Sequence, residues 1–334
     1  MIERSFASTL VLALGSAGLA ACGSGGSPTP SASAPTPTAT VSPTPSPTPT
    51  PTPPATGGTQ VITSDIQYGQ GATASGDIDL FLDLYAPEAT CDANRPTVLF
   101  VHGGGFTGGN KAGGNVSSIA EEITARGLNL VSIQYRLDPQ DPLPSQAFVD
   151  VVDDIVAAGN GDPNEPRLDA IAAAFEDTVS ALNFLDANQN DLCIDTSRIA
   201  YWGSSAGAFT VLQVGYGLNQ FGITRPDPAV VVDYWGGLFR DSDLEMGEAP
   251  FFVIHGTNDA TVEFAEAQQI TNRADVVAVN FAFYTVEGGG HGFGATGTFT
   301  NTVDGQTLLV RTVDFVEAHL TGGTPIYGRF SVTP

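Results

Sequence analysis

The Gly-Ser-Ser-Ala-Gly pentapeptide at residues 203–207 constrains this chain more than any other feature of its sequence. It follows a β-type run at residues 198–202 and precedes an apolar run at residues 208–214 that is typical of a buried helix. A Gly-x-Ser-x-Gly between a strand and a helix folds into a sharp, strained turn whose small flanking residues prevent clashes. Such a turn lifts its central serine above the sheet, so Ser205 is the candidate nucleophile. The alternative interpretation is a Gly/Ser turn without chemistry.

The first 21 residues have the pattern of an export signal. Arg4 precedes an apolar run at residues 10–19 that is too short to span a bilayer as a mature helix, and Leu-Ala-Ala-Cys follows at residues 19–22. This pattern resembles a bacterial lipoprotein signal, and the resemblance implies cleavage before Cys22 and lipid attachment to that cysteine. We therefore expect an exported lipoprotein, anchored to a membrane at the cell surface or in the periplasm. A plain secretory signal that yields a secreted protein is the alternative.

Residues 22–58 form a predicted disordered stalk. Behind Cys22 the composition narrows to Pro, Thr, Ser, Ala and Gly, and eleven of the 23 prolines fall within residues 28–54. Proline removes backbone donors and favours extended polyproline II over a packed core. At roughly 3 Å per residue, such a tract would hold a globular domain several tens of ångströms from its anchor. A proline-rich ligand for another protein is the alternative, but no Lys or Arg stands beside these prolines.

Residues 59–334 have the length of one α/β domain with a full core. Strand and helix patterns alternate along them, and the middle strands are near-continuous apolar runs, as in parallel strands that are covered on both faces. The pattern predicts strands at residues 61–67, 78–85, 97–101, 128–135, 199–202, 230–234, 251–255 and 280–286, the first two antiparallel. The clearest helices are residues 171–185 and 308–320. We therefore expect a doubly wound, mostly parallel sheet with helices on both faces and a site beyond the carboxyl ends of its strands.

The charge of the chain excludes one class of partner. There are 36 acidic and 12 basic residues, for a formal net charge of −24. Nucleic acid and anionic surfaces are repelled by such a protein. We therefore expect no nucleic-acid partner, and membrane contact through the lipid anchor only. A solvated acidic surface is the simplest interpretation of the imbalance, and adaptation to salt is the alternative.

A second glycine-rich run follows the predicted strand at residues 97–101. The segment His-Gly-Gly-Gly-Phe at residues 102–106 lacks side chains at its centre, which lets backbone N–H groups approach a ligand oxygen closely. A phosphate-binding loop is the alternative for such a run, but no Lys-Ser or Lys-Thr pair follows it. The two glycine motifs are therefore both expected at the carboxyl edge of the sheet.

Together these motifs resemble the α/β-hydrolase fold, specifically the bacterial carboxylesterases and lipases with an HGGG oxyanion loop. The resemblance covers essentially all of residues 60–322 and includes the segments at residues 132–137 and 194–198. In that family the second and third glycines of the loop and the residue after the nucleophile donate hydrogen bonds to the oxyanion. The resemblance therefore implies that the oxyanion hole is formed by Gly104, Gly105 and Ala206.

A serine at its ordinary pKa is a poor nucleophile and needs a base, which in turn needs an orienting carboxylate. The sequence has four histidines. His102 begins the glycine loop, where it would shape the turn, and His319 lies near the end of the last helix. His255 ends a strand, whereas His291 lies in a glycine-rich loop after the last core strand. Hydrolases of this fold run Ser, acid, His along the chain, so the resemblance implies His291 as the base.

The same chain order implies an acid between the serine and the base. Residues 251–259 read as a buried strand and a short turn that ends in a carboxylate, and the family commonly places its acid in such a His-Gly-Thr-x-Asp segment. The resemblance therefore implies Asp259, with Asp233 and Glu263 as alternatives. The family often has an acidic residue before the nucleophile and a proline after the acid's segment, where this chain has Ser204 and Glu263. These departures bear on subfamily and substrate rather than on the triad.

The reaction implied is acyl transfer through an acyl-enzyme intermediate that water then hydrolyses. The expected enzyme is a carboxylesterase or lipase acting on small or short-chain esters, without a metal or other cofactor. Residues 186–191 mimic the start of a calcium loop, but the sixth position lacks glycine and the twelfth is Ser197, so we interpret them as a polar helix-to-strand connection.

Two other functions are compatible with the same fold. One is a serine exopeptidase resembling the prolyl oligopeptidase class, against which the lack of a propeller-like segment before the hydrolase domain counts. The other is a catalytically silent binding module, against which the presence of all three triad residue types counts.

The sequence limits the substrate only loosely. Residues 138–168 are the largest insertion between core elements and are expected to overhang the pocket; a loop packed away from the site is the alternative. Phe106, Trp235 and Phe293 lie near the proposed loops and suit an apolar acyl or aryl group, although core packing explains such aromatics equally well.

Cys91 and Cys193 are the expected disulfide pair. Export would place the chain in an oxidising compartment. With Cys22 attached to lipid, an even number of thiols, these two, would remain for pairing. Each lies six residues before a predicted parallel strand, and the two strands are neighbours in the sheet order that the resemblance implies. Neighbours about 4.8 Å apart place such positions within the roughly 4.4–6.8 Å that the Cα atoms of a disulfide need. Two buried free cysteines are the alternative.

Overall fold

The computed structural model of the protein describes residues 60–88, 90–293 and 300–332. The predicted export signal, the stalk and the lipidation site Cys22 lie outside these residues. No helix in the three described ranges is long and apolar enough to cross a membrane.

A nine-stranded sheet organises the described part of the chain, in the order β1-β2-β4-β3-β5-β6-β7-β8-β11. Its strands are β1 (Val61–Gly71), β2 (Ile78–Ala86), β3 (Arg95–Val101), β4 (Asn129–Ile133), β5 (Ile194–Ser204), β6 (Val230–Tyr234), β7 (Phe251–Gly256), β8 (Phe281–Val286) and β11 (Gly328–Val332). β2 pairs antiparallel with β1 and with β4, and all remaining pairs are parallel. All eight predicted strands are present, and the predicted antiparallel opening pair is confirmed.

One strand of this sheet was not predicted. β11 pairs in parallel with β8 at the sheet edge, with Gly328 opposite Ala282 and Val332 opposite Val286. Its first four residues are partly or fully exposed, and only Val332 is buried. An edge strand with one buried position lacks the apolar pattern that marked the central strands.

Helices cover both faces of the sheet. They are α1 (Val116–Ala125), α2 (Gln146–Ala157), α3 (Leu168–Ala187), α4 (Gln189–Leu192), α5 (Ala206–Leu212), α6 (Phe264–Val277) and α7 (Leu308–Thr321). α1 and α7 pack on one face, whereas α2, α3, α5 and α6 pack on the other. The strands supply both cores by alternation: in β3, Leu99 and Val101 face the second group of helices, and Val98 and Phe100 face the first. A short hairpin, β9 (Thr302–Val303) with β10 (Gln306–Thr307), precedes α7.

None of the residues 138–168 lines the cleft beside Ser205, although Arg167 near the end of this insertion donates to the Gly105 carbonyl at 3.1 Å. The insertion contains α2, whose buried side chains include Phe148, Val151 and Ile155, and this helix packs against α3. For α2 the alternative interpretation holds, a segment packed away from the site, because its apolar face is buried on a neighbouring helix.

Cys91 and Cys193 are joined by a disulfide with their Cα atoms 5.8 Å apart. The pairing is the expected one, and its geometric basis also holds, because β3 and β5 are parallel neighbours with Arg95 opposite Ile194. A hydrogen bond from Arg95 N to the Cys193 carbonyl, 2.9 Å long, continues the ladder up to the bridge. The disulfide therefore links the amino ends of two central strands, opposite the end that carries the candidate site.

Candidate active site

Ser205 sits at the turn between β5 and α5, as the pentapeptide predicts. Its φ is +52° and its ψ −122°, a conformation that L-residues rarely adopt and that costs roughly 1–3 kcal/mol. Its N–H donates to the Tyr234 carbonyl at 2.8 Å, which fixes the turn against β6. A Cβ at Gly203 would lie 2.1 Å from the Gly207 carbonyl oxygen, and one at Gly207 would lie 2.1 Å from the Val101 carbonyl oxygen. The flanking glycines are therefore required by close backbone packing.

His291 bridges the serine and a carboxylate. It lies after β8, and its Nε2 is 2.9 Å from Ser205 Oγ while its Nδ1 is 2.8 Å from Asp259 Oδ2. An ionised carboxylate can only accept, so the ring proton resides on Nδ1. Nε2 is then free to accept the proton of the serine hydroxyl. Three loops at the carboxyl ends of β5, β7 and β8 thus bring together side chains that are 86 and 32 residues apart in the chain.

Asp259 is held rigidly in the turn after β7. Its Oδ1 accepts hydrogen bonds from the N–H groups of Thr261 and Val262 at 2.9 and 3.0 Å, and its side chain is fully buried. Burial alone would raise the pKa of Asp259, but hydrogen bonds from His255, from His291 and from the two backbone N–H groups outweigh burial and hold it well below its ordinary value. Asp259 is therefore ionised at neutral pH and can orient the imidazole of His291.

The two alternative acids lie elsewhere. Asp233 Oδ1 accepts a hydrogen bond from Gly236 N–H at 2.8 Å, and the carboxylate is buried beneath the turn rather than beside His291. Glu263 is exposed at the start of α6. The contact to His291 comes from Asp259.

The glycine loop after β3 approaches the serine from the other side. Gly104 and Gly105 have φ values of +124° and +62°. A Cβ at Gly104 would lie only 2.1 Å from the Gly108 carbonyl oxygen, so the loop closes tightly on itself. Within the described residues, the N–H groups of Gly104, Gly105 and Ala206 make no hydrogen bond to other protein groups. They are free to bind a ligand oxygen.

His102 shapes this loop, as its position at the loop's start suggested. Its Nδ1 donates to the Gly103 carbonyl at 2.7 Å, its Nε2 lies 3.3 Å from Gln134 Nε2, and its ring stacks on Tyr135 at 4.4 Å. Burial lowers the pKa of His102 to about 4, against the hydrogen bond to Gly103. A neutral ring with its proton on Nδ1 satisfies both contacts, so His102 is a structural group at neutral pH.

A cleft of about 590 Å³ opens beside the serine. It is lined by the glycine loop, by the turn at Ser204 and Ser205, and by further residues, whose core members belong to the sheet face covered by α1 and α7. These further residues include Phe100, Asn110, Asn115, Ile119, Tyr234, Trp235, Thr261 and His291. Among the described residues that line it there is no Lys, Arg, Asp or Glu. The cleft therefore offers no counter-ion to a charged group.

Of the three aromatic residues expected near the site, only Trp235 lines the cleft. Its backbone has φ +46°, and its ring lies 6.4 Å from that of His291. Phe293 packs edge-on against Trp235 at 5.2 Å. Phe106 is buried against Tyr135 in the core instead. The sequence did not distinguish Trp235 from the other two aromatic residues, because nothing in it indicates the positive φ of Trp235.

His255 is the residue near the site that the sequence analysis left without a role. It ends β7, is fully buried, and its Nε2 lies 3.4 Å from Asp259 Oδ2. Its place in the same His-Gly-Thr-Asn-Asp segment as Asp259 was the available signal.

Comparison with known proteins finds relatives among esterases. The BD-FAE family model matches residues 82–157, from β2 to the end of α2. The chain is 28% identical over 145 residues to Gut esterase 1 of Caenorhabditis briggsae, which is 43% of this chain and 22% of that protein. It is 29% identical over 132 residues to carboxylesterase NlhH of Mycobacterium tuberculosis, which is 40% of this chain and 32% of that protein. The chain thus spans less than half the length of either relative.

Solved structures match a larger share of the chain. Esterase 2 of Thermogutta terrifontis, phosphorylated by paraoxon, superposes with a TM-score of 0.57 at 17% identity, over 79% of this chain and 96% of that one. MGS-M1, an alpha/beta hydrolase enzyme from a Medee basin deep-sea metagenome library, superposes with a TM-score of 0.53 at 18% identity, over 78% and 98%. The chain has the α/β-hydrolase fold. The predicted fold class is therefore confirmed.

Proposed function

We propose that this protein is a serine hydrolase of carboxylic esters that acts through an acyl-enzyme intermediate. The observation that carries the proposal is the single imidazole of His291, which contacts Ser205 Oγ at 2.9 Å and Asp259 Oδ2 at 2.8 Å. Nucleophile, base and orienting acid at hydrogen-bond distance are what acyl transfer by a serine needs. The esterase names of its relatives support the same reaction.

In the first step, Ser205 Oγ attacks the ester carbonyl while its proton passes to His291 Nε2. The N–H groups of Gly104, Gly105 and Ala206 stabilise the negative charge that develops on the carbonyl oxygen. His291 then gives its proton to the leaving alcohol, and an acyl-Ser205 ester remains. In the second step, water gives a proton to His291 and attacks the acyl group, which frees the acid and restores the serine.

The substrate we propose is an uncharged ester. A carboxylate or ammonium group in the cleft would lose hydration without gaining an ion pair, because the described lining carries neither acidic nor basic side chains other than histidine. Trp235, Ile119 and Phe100 provide apolar surface for an acyl or aryl group.

The test of the nucleophile compares two adjacent serines. Purified protein is assayed with p-nitrophenyl esters of graded chain length and with aminoacyl anilides, which would reveal an exopeptidase. Ser205→Ala should lower kcat by about six orders of magnitude, toward the uncatalysed rate, with the fold unchanged. Ser204→Ala should keep most of the activity, since Ser204 contacts neither His291 nor Asp259. A fluorophosphonate that labels a serine other than Ser205 would contradict the assignment.

The test of the acid compares two buried carboxylates. Asp259→Asn should lower kcat by about 10⁴-fold, because the amide favours the wrong imidazole tautomer. A near-wild-type rate for Asp259→Asn together with a collapse for Asp233→Asn would move the acid to the end of β6.

We also propose that the protein is exported and anchored through lipid on Cys22, with residues 23–58 as a spacer. The support for this proposal is the sequence pattern of residues 1–58 alone, and metabolic labelling with a fatty-acid analogue tests it.

A further inference from the structure

A second histidine lies behind the candidate catalytic acid. His255 Nε2 is 3.0 Å from the Val262 carbonyl oxygen and 3.4 Å from Asp259 Oδ2, and neither side chain is exposed. Both of these groups accept hydrogen bonds, so Nε2 carries a proton. The ring does not line the cleft and packs edge-on against Phe264 at 6.0 Å. His255 can therefore influence the reaction only through Asp259.

Among the described residues, the other ring nitrogen of His255, Nδ1, is buried without a hydrogen-bond partner, and so is one carboxylate oxygen of Asp233, Oδ2. Asp233 on β6 pairs in register with Val253 on β7, so His255, two residues further along β7, lies on the same face of the sheet. Unpaired buried polar atoms are costly, and the two atoms are too far apart for a direct hydrogen bond. A proton on Nδ1 would satisfy both atoms through one bridging water.

The charges around the ring favour that proton. Asp233 from β6, Asp259 from the turn after β7 and Glu266 from α6 all act on His255 electrostatically. Burial by itself would lower the pKa of His255, but the hydrogen bonds to Asp259 and Val262 and the charge of Asp233 outweigh burial and raise it. Burial raises the pKa of Asp233 to about 6, against the charge of His255 and the hydrogen bond from Gly236.

We propose that His255 is a positioning residue for Asp259, held as an imidazolium between the carboxylates of Asp259 and Asp233. This proposal rests on the proposed function, in which Asp259 orients His291. The imidazolium donates from Nε2 to the Val262 carbonyl, keeps the same nitrogen 3.4 Å from Asp259 Oδ2, and donates from Nδ1 to Asp233 through one water. It also places a positive charge behind the carboxylate that contacts His291.

The kinetic test uses two variants of His255 and a distant histidine as control. His255→Leu should lower kcat roughly 10- to 100-fold, the effect expected for losing a buried hydrogen bond to a charged group, with KM unchanged because the ring does not reach the cleft. His255→Gln restores a neutral donor and should recover most of the turnover. In both variants the acid limb of the kcat/KM profile should move to higher pH, since the positive charge is gone. His319→Gln, at the end of α7, should leave kcat and the profile as they are.

These outcomes separate positioning from mere structural support. A packing defect would reduce the amount of active protein without moving the acid limb. Wild-type kcat in His255→Leu, or an acid limb that stays in place in both variants, overturns the proposal.

A spectroscopic test needs no variant that could fail to fold. Nitrogen-15 NMR of the histidine-labelled protein, whose spectrum contains only four imidazoles, reports the protonation of each ring nitrogen. His255 should have both nitrogens protonated at pH 7, and an unprotonated nitrogen there overturns the proposal. Full esterase activity in Ser205→Ala would instead refute the proposed function and leave the protonation of His255 standing.

Discussion

Glu266 should make the stability of this protein depend on pH in a predictable direction. The side chain lies in the first turn of α6 and is partly buried against Gly237. The contact is close, since a Cβ added at Gly237 would lie 3.0 Å from Glu266 Oε2. Burial raises the pKa of Glu266 from 4.5 to about 7; the charge of His255 opposes this rise, and Asp233 and Glu263 add to it. The folded chain therefore binds this proton more tightly than the unfolded chain does.

The magnitude follows from that pKa. One pKa unit corresponds to about 1.4 kcal/mol, so a change from 4.5 to about 7 sets an upper limit of about 3 kcal/mol. Partial exposure and coupling to the neighbouring charges reduce the expected effect to about 1–3 kcal/mol. For a raised carboxyl pKa, this stability is fully present below about pH 4.5 and is lost as the pH rises through 7. Glu266→Gln cannot ionise and avoids the loss.

The assay is urea unfolding of the wild type and of Glu266→Gln between pH 4.5 and 8. The variant should gain about 1–3 kcal/mol in unfolding free energy relative to the wild type across this range, with the gain growing as the pH rises. Glu263→Gln, three residues earlier and exposed, removes only one of the charges that raise the pKa of Glu266, so its gain should be smaller than that of Glu266→Gln. A pH-independent difference between Glu266→Gln and the wild type would refute the reasoning, because it would mean that Glu266 ionises equally easily in both states.

Three further predictions concern the glycine loop, the disulfide and the anchor. Gly109→Ala should lower kcat by roughly 10²-fold or more, because its Cβ would lie 2.3 Å from the Gly103 carbonyl oxygen and displace the glycine loop. Gly108→Ala is the control and should be tolerated, since no atom lies within 4 Å of its Cβ. Replacing Cys91 and Cys193 by serine should lower the unfolding free energy by up to ~4.7 kcal/mol for a separation of 102 residues, and urea curves that do not change on reduction would argue against a stabilising bridge. Fatty-acid labelling should mark the wild type but not Cys22→Ser, and unlabelled wild-type protein would point to ordinary secretion.

Local patterns in the sequence determined much of the fold and the candidate site. Apolar runs of strand length marked the central strands because these are buried on both faces, and the glycines of the loop and of the elbow marked the two tight turns. The triad candidates followed from the order of Ser205, Asp259 and His291 along the chain, read with the family resemblance. The structure then placed the three side chains within hydrogen-bond distance.

The tertiary structure alone decided the features that depend on contacts between distant segments. β11 was missed because an edge strand with one buried residue has no apolar pattern. The position of α2 within the insertion at residues 138–168 was left open because only packing shows which surface this helix covers. The arrangement of His255, Asp233 and Glu266 around the candidate acid is of the same kind. Each of these residues is unremarkable in its own stretch of sequence. They interact because two adjacent strands and one helix bury the three ionisable groups near one another. In surroundings of low polarity, the pKa of each group depends on the charges of its neighbours.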